Sequence, residues 1–256
     1  MAKVTSYGHG AFCWVELATS DPTAAAVFYS ELFGWKTKTQ TGEWGSYTMA
    51  EIDGESVCGI TAMQKQMAAQ GVPPHWTSYV SVDSVDAAAQ RAGELGAKVL
   101  APPFDVLEVG RMAVIQDPTG AALALWQAKQ HIGATVTGVP GTLTWNELQT
   151  RDIDRAKAFF PALFGWTASG ESHYTEWLPK GASKPTGGMI AIDASWGPVP
   201  PSWMVYFASD DVDASIARAK NLGAKVLVSE DLPKVGRFAV LQDPQGATFS
   251  VFKRSS

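Results

Sequence analysis

Two short runs, Trp14-Val15-Glu16 and Trp145-Asn146-Glu147, set an indole two positions from a carboxylate. In an extended chain residues i and i+2 share a face, so each run offers an aromatic platform beside an acid. A carboxylate at a strand centre is costly without a partner. Either Arg111 or Arg237, each following Val-Gly, neutralises it, or apolar surroundings raise its pKa and make Glu16 or Glu147 a general base for proton abstraction or isomerisation. Other reactive residues are sparse. His9, His75, His131 and His173 are scattered, and no His-Glu-x-x-His helix exists. Cys13 and Cys58 make neither a disulfide framework nor a Cys-x-x-Cys pair, and both read as small buried residues. No Gly-x-Ser-x-Gly elbow, phosphate-cradling loop or dinucleotide fingerprint is present.

The elements that position these residues occur twice. Residues 12–35 match 143–166 at 11 of 24 positions, 73–103 match 200–230 at 16 of 31, and 109–120 match 235–246 at 9 of 12. The chain therefore divides into a domain over 1–128, a Gly- and Thr-rich connector over 129–141 and a second domain over 142–256. Within the first copy a strand over 12–18 leads to a helix capped by Asp21 with Pro22 in its first turn, striped by Phe28, Leu32 and Phe33 and stopped at Gly34. Short strands follow at 35–40, 45–51 and 57–62. The pattern restarts with a strand at 76–82, a helix at 85–95 and strands at 98–100, 111–116 and 122–126. Asp117-Pro118-Thr119-Gly120 and Asp243-Pro244-Gln245-Gly246 join the last two strands of each copy as tight turns.

Composition narrows the function. Apolar residues make up 46% and charged residues 18%, which fits packed cores and excludes a disordered or charge-rich scaffold. A net charge of −5 argues against a nucleic-acid binder, which needs a concentrated excess of Lys and Arg. No secretory leader and no apolar run of spanning length appear, so the expectation is a cytoplasmic protein without membrane partners, monomeric or homodimeric.

Asp21, Phe28-Tyr29, Leu32-Phe33-Gly34-Trp35, Leu95-Gly96-Ala97 and Asp117-Pro118-x-Gly120 together resemble the vicinal oxygen chelate superfamily, which includes glyoxalase I, extradiol dioxygenases, and fosfomycin-resistance and bleomycin-binding proteins. The resemblance covers nearly the whole chain. It implies an α+β fold of four βαβββ modules forming two glyoxalase-like open barrels, each with a ligand cleft on its concave face. It also implies where metal ligands would stand in metal-using members, and those positions hold Trp14, Thr77 and Ala124 in one copy and Trp145, Met204 and Ser250 in the other. None of these sets supplies the three or four converging N, O or S ligands that a Zn, Ni or Fe centre needs, so neither metal nor cofactor is expected. His75 and Glu16 offer one displaced alternative, in the first copy alone, because Ser202 replaces the histidine in the second.

By strand parity the implied clefts are lined by Trp14, Glu16, Ala18, Thr77, Tyr79, Ala122, Ala124 and Trp126, and by Trp145, Glu147, Met204, Tyr206, Thr248, Ser250 and Phe252. Cys13, Val15 and Leu17 then lie under the helices. Trp35, Trp166, Trp76 and Trp203 read as core, whereas Trp44, Trp177 and Trp196, unmatched between copies, read as cleft rim or domain contact. Such clefts suit a flat, partly apolar molecule stacked between rings and oriented by a few hydrogen bonds. Three functions remain open. The first is metal-independent binding of a small aromatic molecule in drug resistance or natural-product metabolism. The second is an isomerase, lyase or hydroxylase-like enzyme on an aromatic or polyketide substrate, or a glyoxalase-type lyase, and the third is a partner-binding protein with degenerate clefts.

Overall fold

The computed structural model describes residues 3–43, 45–170 and 173–255. The first half runs β1 (Phe12–Thr19), α1 (Pro22–Phe33), β2 (Lys36–Gly42), β3 (Gly45–Ile52), β4 (Glu55–Ala62), α2 (Lys65–Ala69), β5 (His75–Ser81), α3 (Val85–Glu94), β6 (Lys98–Val106), β7 (Gly110–Gln116) and β8 (Ala122–Ala128). The second half runs β9 (Leu143–Thr150), α4 (Ile153–Phe164), β10 (Thr167–Ser169), β11 (Tyr174–Leu178), β12 (Gly187–Ala191), β13 (Ser202–Ala208), α5 (Val212–Asn221), β14 (Lys225–Leu232), β15 (Gly236–Gln242) and β16 (Thr248–Arg254). Each half is one eight-stranded sheet, ordered β2-β3-β4-β1-β5-β8-β7-β6 and β10-β11-β12-β9-β13-β16-β15-β14. Two βαβββ modules thus meet at the antiparallel β1–β5 pair, and at β9–β13 in the second sheet.

Local chemistry sets these elements. Asp21 Oδ1 accepts from the Ala24 N–H at 3.0 Å to open α1, and Gly34 closes it in the left-handed region, where a side chain would be strained. Asp152 and Gly165 repeat both devices on α4. The strand expected over 98–100 extends to Val106 through Pro102 and Pro103. Their missing N–H groups are tolerated because β6 is a sheet edge interrupted by irregularities.

A β-bulge corrects one expected facing. Phe12 pairs with Val80 and Trp14 with Tyr79, so Cys13 is the extra residue and joins Trp14 rather than Val15 and Leu17. The second sheet repeats the irregularity, with Leu143 against Phe207 and Trp145 against Tyr206.

The helix-bearing faces of the two sheets pack on each other. Phe33 of α1 lies 5.1 Å from the ring of Phe207 and Tyr29 lies 5.3 Å from that of Phe249, both on the second sheet. Phe12 of the first sheet contacts Trp166 and Trp203 of the second. Two indoles cross the seam as a matched pair, Trp35 Nε1 donating to the Gly141 carbonyl at 2.7 Å and Trp166 Nε1 to the Gly10 carbonyl at 2.8 Å. Trp35, Trp76, Trp166 and Trp203 are core residues. Trp177 is also fully buried, against Phe160 and Trp166, and so is not a rim residue; β11 turns its side chain toward the helices. Trp196 sits partly exposed on a 3₁₀ turn, and Trp44 lies outside the described residues.

The pseudo-symmetry of this core fails at one atom. The Tyr29 hydroxyl accepts from Trp76 Nε1 at 3.1 Å and donates to Asp243 Oδ2 at 2.9 Å. The corresponding residue of α4 is Phe160, and there Trp203 Nε1 and Asp117 Oδ2 are both buried without a hydrogen-bond partner.

Candidate functional site

The faces turned away from the long helices carry the same five residues in both halves. On the first, Trp14 and Glu16 come from β1, Tyr47 from β3, Gly59 from β4 and Tyr79 from β5. Trp14 Nε1 donates to the Tyr47 hydroxyl at 3.2 Å, and Tyr47 and Tyr79 stand beside the Glu16 carboxyl. On the second, Trp145 Nε1 donates to the Tyr174 hydroxyl at 2.8 Å and the Tyr206 hydroxyl donates to Glu147 Oε1 at 2.8 Å. Tyr174 stands beside Glu147 as well. The glycines are required by space: a Cβ on Gly59 would stand 2.0 Å from the Tyr47 oxygen, and one on Gly188 2.1 Å from that of Tyr174.

Each carboxyl thus stands between two phenols, and Glu147 accepts a bond from one of them. Burial pushes the Glu16 carboxyl above its ordinary range, and the bonds from Tyr47 and Tyr79 pull it partly back. Glu147 is raised by the same cause, with Tyr206, Tyr174 and Gln149 opposing. All four phenols are raised, by burial first and then by the neighbouring carboxylate. The arginine pairing expected for these acids does not form. Arg111 grips Asp86 with two bonds of 2.8 Å, and Arg237 bonds Asp213 at 2.6 Å and Asp231 at 2.9 Å. Strand parity explains it, because Met112 faces Trp126 across the ladder and Arg111 therefore points to the helix side.

A pH signature follows. A carboxyl raised in the folded state binds protons that the unfolded chain has released, so stability falls as pH climbs from the ordinary carboxylate range through the raised values. Glu16→Gln/Glu147→Gln is expected to flatten that fall. Urea midpoints measured across the acid range test this, and an unchanged slope would refute it. Buried Asp117 and Asp243 shift in the same direction and leave a residual slope.

The other expected lining residues fall on these faces as well. Glu16 pairs with Thr77, Tyr79 with Ala124, Met204 with Glu147 and Tyr206 with Ser250, while Trp126 and Phe252 stand further along β8 and β16. Tyr47 and Tyr174 escaped the sequence reading because the halves drift in register between β2 and β4. Their signal was a tyrosine followed by a close glycine on the next strand.

The donor set does not fit the metal centre that the fold would otherwise suggest. The positions for ligands carry an indole, a hydroxyl and a methyl on one face, and an indole, a thioether and a hydroxyl on the other. Among the described residues no three His, Cys, Asp or Glu side chains gather as a metal site, and His75 turns its Nδ1 to the Pro73 carbonyl at 2.9 Å.

The two faces differ in cover. On the first, the segment after β8 folds back: the Lys129 and His131 N–H groups both bond the Val109 carbonyl, and Ala134 N–H bonds the Cys13 carbonyl at 2.8 Å. The His131 ring stands edge-on to Trp14 at 4.7 Å, and its carbonyl accepts from Trp126 Nε1 at 2.9 Å. Trp14, Tyr79 and Trp126 are nearly inaccessible beneath this segment. On the second face Trp145 keeps part of its surface open. A separate groove of about 610 Å³ lies at the seam between the halves, lined by His9, Asp83, Phe164 and Lys180 among others.

Tandem open sheets of paired βαβββ modules, each with a polar cluster on an aromatic face, define a two-domain protein of the glyoxalase-like fold. The chain belongs to the Glyoxalase/Bleomycin resistance protein/Dioxygenase superfamily. That description fits residues 11–125, and the Glyoxalase-like domain fits residues 145–252. It is 44% identical to a Mycobacterium tuberculosis protein named "Putative glyoxylase CFP32", over 99% of this chain and 98% of that protein. It is 38% identical to "Anthracycline biosynthesis protein DnrV" of Streptomyces peucetius, over 97% and 94%. Among solved structures, the Mn(II)-bound glyoxalase from Novosphingobium aromaticivorans superposes with a TM-score of 0.66 at 16% identity, covering 95% of this chain and 82% of that one. The 2,3-dioxygenase LapB from Pseudomonas sp. KL28 gives the same score at 14% identity, with 97% and 95% covered. At such identity these structures speak for the fold alone. No helix among the described residues is long and apolar enough to cross a membrane.

Proposed function

We propose that the chain binds a small, planar, aromatic molecule without a metal, stacked on Trp145 and oriented by Glu147, Tyr174 and Tyr206. The observation that carries this reading is the second face itself: an indole with open surface beside a carboxyl that accepts from Tyr206 with Tyr174 next to it, and no imidazole or carboxyl at the implied ligand positions Trp145, Met204 and Ser250. Rings supply stacking area, and the few polar groups fix one orientation. Met204 and Phe252 extend the apolar surface on either side. The relative named for anthracycline biosynthesis supports the ligand class, because an anthracycline is a polycyclic aromatic polyketide with phenol and ketone edges that such a carboxylate–phenol set can recognise.

Titration with an anthracycline, read by quenching of tryptophan fluorescence, tests the reading. Saturable quenching is expected, equal before and after chelator treatment, and Trp145→Leu is expected to weaken it about tenfold, the scale of one good aromatic contact. Stoichiometric Mn, Fe or Zn in the purified protein, with binding lost on its removal, would overturn the metal-free claim.

One observation favours a second reading. A raised carboxyl beside phenol donors can take a proton from a carbon acid while the phenols bond the developing enolate, which makes Glu147 a general base in an isomerase or lyase. Glu147→Gln separates the two: under the binding reading affinity changes and no turnover exists to lose, whereas under the enzymatic reading product formation stops while ligand still quenches Trp145.

A further inference from the structure

The two halves build the same five-residue cluster, yet among the described residues only the first carries a ring laid over its indole. That ring belongs to the chain. His131 stands 4.7 Å from Trp14 and 6.0 Å from Trp126, nearly perpendicular to the first, an edge-to-face contact of the kind aromatic rings favour. Its backbone is tied on both sides. Lys129 and His131 hang from the Val109 carbonyl, Trp126 Nε1 bonds the His131 carbonyl, and Ala134 and Thr135 bond Cys13 and Ser56. The Tyr7 hydroxyl donates to the Ala134 carbonyl at 2.6 Å. Gly133 makes the approach possible, since a Cβ there would stand 2.2 Å from the Cys13 carbonyl oxygen.

The ring is a poor choice for packing alone. Among the described residues His131 Nε2 is buried without a hydrogen-bond partner, a desolvation cost that Phe or Leu would not incur. The second half also lacks the means to hold such a segment: where Trp126 offers an N–H to the His131 carbonyl, the matching residue is Phe252.

We propose that residues 129–136 are a built-in occupant of the first aromatic face, the His131 imidazole lying where a ligand ring lies, so that each chain takes one ligand, on the second half. The clause about ligand number rests on the aromatic-binding reading above; the occupancy of the first face does not.

The test uses imidazole itself. His131→Gly is expected to open one saturable site for free imidazole per chain and to gain melting temperature on filling it. The unmodified protein and His131→Gly/Trp14→Leu should do neither. A folded His131→Gly protein that ignores imidazole overturns the proposal. Nuclear Overhauser contacts between the His131 ring and the Trp14 indole in the unmodified protein give a second measurement should the variant fail to fold; they are expected to persist as an anthracycline saturates, and their absence or loss counts against occupancy. Anthracycline stoichiometry is expected to be one in the unmodified protein; two overturns the proposal. If no anthracycline binds either protein, the functional reading falls, and the imidazole and Overhauser results still decide the occupancy.

Discussion

Tyr29→Phe is expected to destabilise the protein by about 2–6 kcal/mol, and Phe160→Tyr to stabilise it, although each change moves one oxygen atom. Tyr29 bridges two buried groups, Trp76 Nε1 and Asp243 Oδ2, from opposite halves of the chain. Removing its hydroxyl leaves both unpaired, and each buried orphan costs roughly 1–3 kcal/mol. At the matching place on α4, Trp203 Nε1 and Asp117 Oδ2 already lack partners, and a phenol at position 160 supplies the missing oxygen. Differential scanning calorimetry of the two variants decides the matter; for a chain of this size each kcal/mol moves the melting temperature by about 2–4 °C. A Tyr29→Phe protein with unchanged melting temperature would show that the bridge contributes nothing.

Gly188→Ala is expected to dismantle the candidate site while leaving the fold in place. The added methyl would lie 2.1 Å from the Tyr174 oxygen and 2.5 Å from Cζ, so the phenol must leave its position. Trp145 Nε1 then loses its 2.8 Å acceptor and Glu147 loses one of the two phenols beside it. Overpacking of this kind costs roughly 1–3 kcal/mol of stability, and anthracycline quenching should weaken at least about tenfold. The cost is one of contact rather than backbone strain, because Gly188 is not in the left-handed region. The same change in a Tyr174→Leu background should therefore be milder, a departure from additivity that a double-mutant cycle measures. Wild-type quenching by a folded Gly188→Ala protein would detach the Tyr174 clamp from binding.

What the sequence made legible follows from what repeats. The duplicated Trp-x-Glu runs, the Asp caps and the Asp-Pro-x-Gly turns are local signals, and strand parity carried Trp14, Glu16 and Tyr79 to one face without any tertiary information. Parity failed where the backbone departed from regular pairing: a bulge that no residue type announces moved Cys13 to the other side. Charge complementarity alone suggested Arg111 for Glu16, whereas alternation sends that side chain to Asp86 on the first turn of α3. Tyr47, Tyr174 and Trp177 lie in the stretch where the halves differ in length, so comparison of copies could not assign them. The fold over His131 was beyond reach because it depends on the tertiary path of the segment after β8, which no local pattern announces.

The crossed indole bonds of Trp35 and Trp166 have a consequence for the order of synthesis. Each half supplies apolar surface that only the other covers, with α1 closing on Phe207 and Phe249 of a sheet made later. On a ribosome adding about 5–20 residues per second, the first half waits on the order of ten seconds with that surface bare. During this interval Tyr29, Phe33 and Trp35 can meet the second half of another nascent copy as easily as their own. Exchange of halves between neighbouring chains is the error this architecture invites, and the short connector that reaches back over Trp14 keeps the correct partner close at hand.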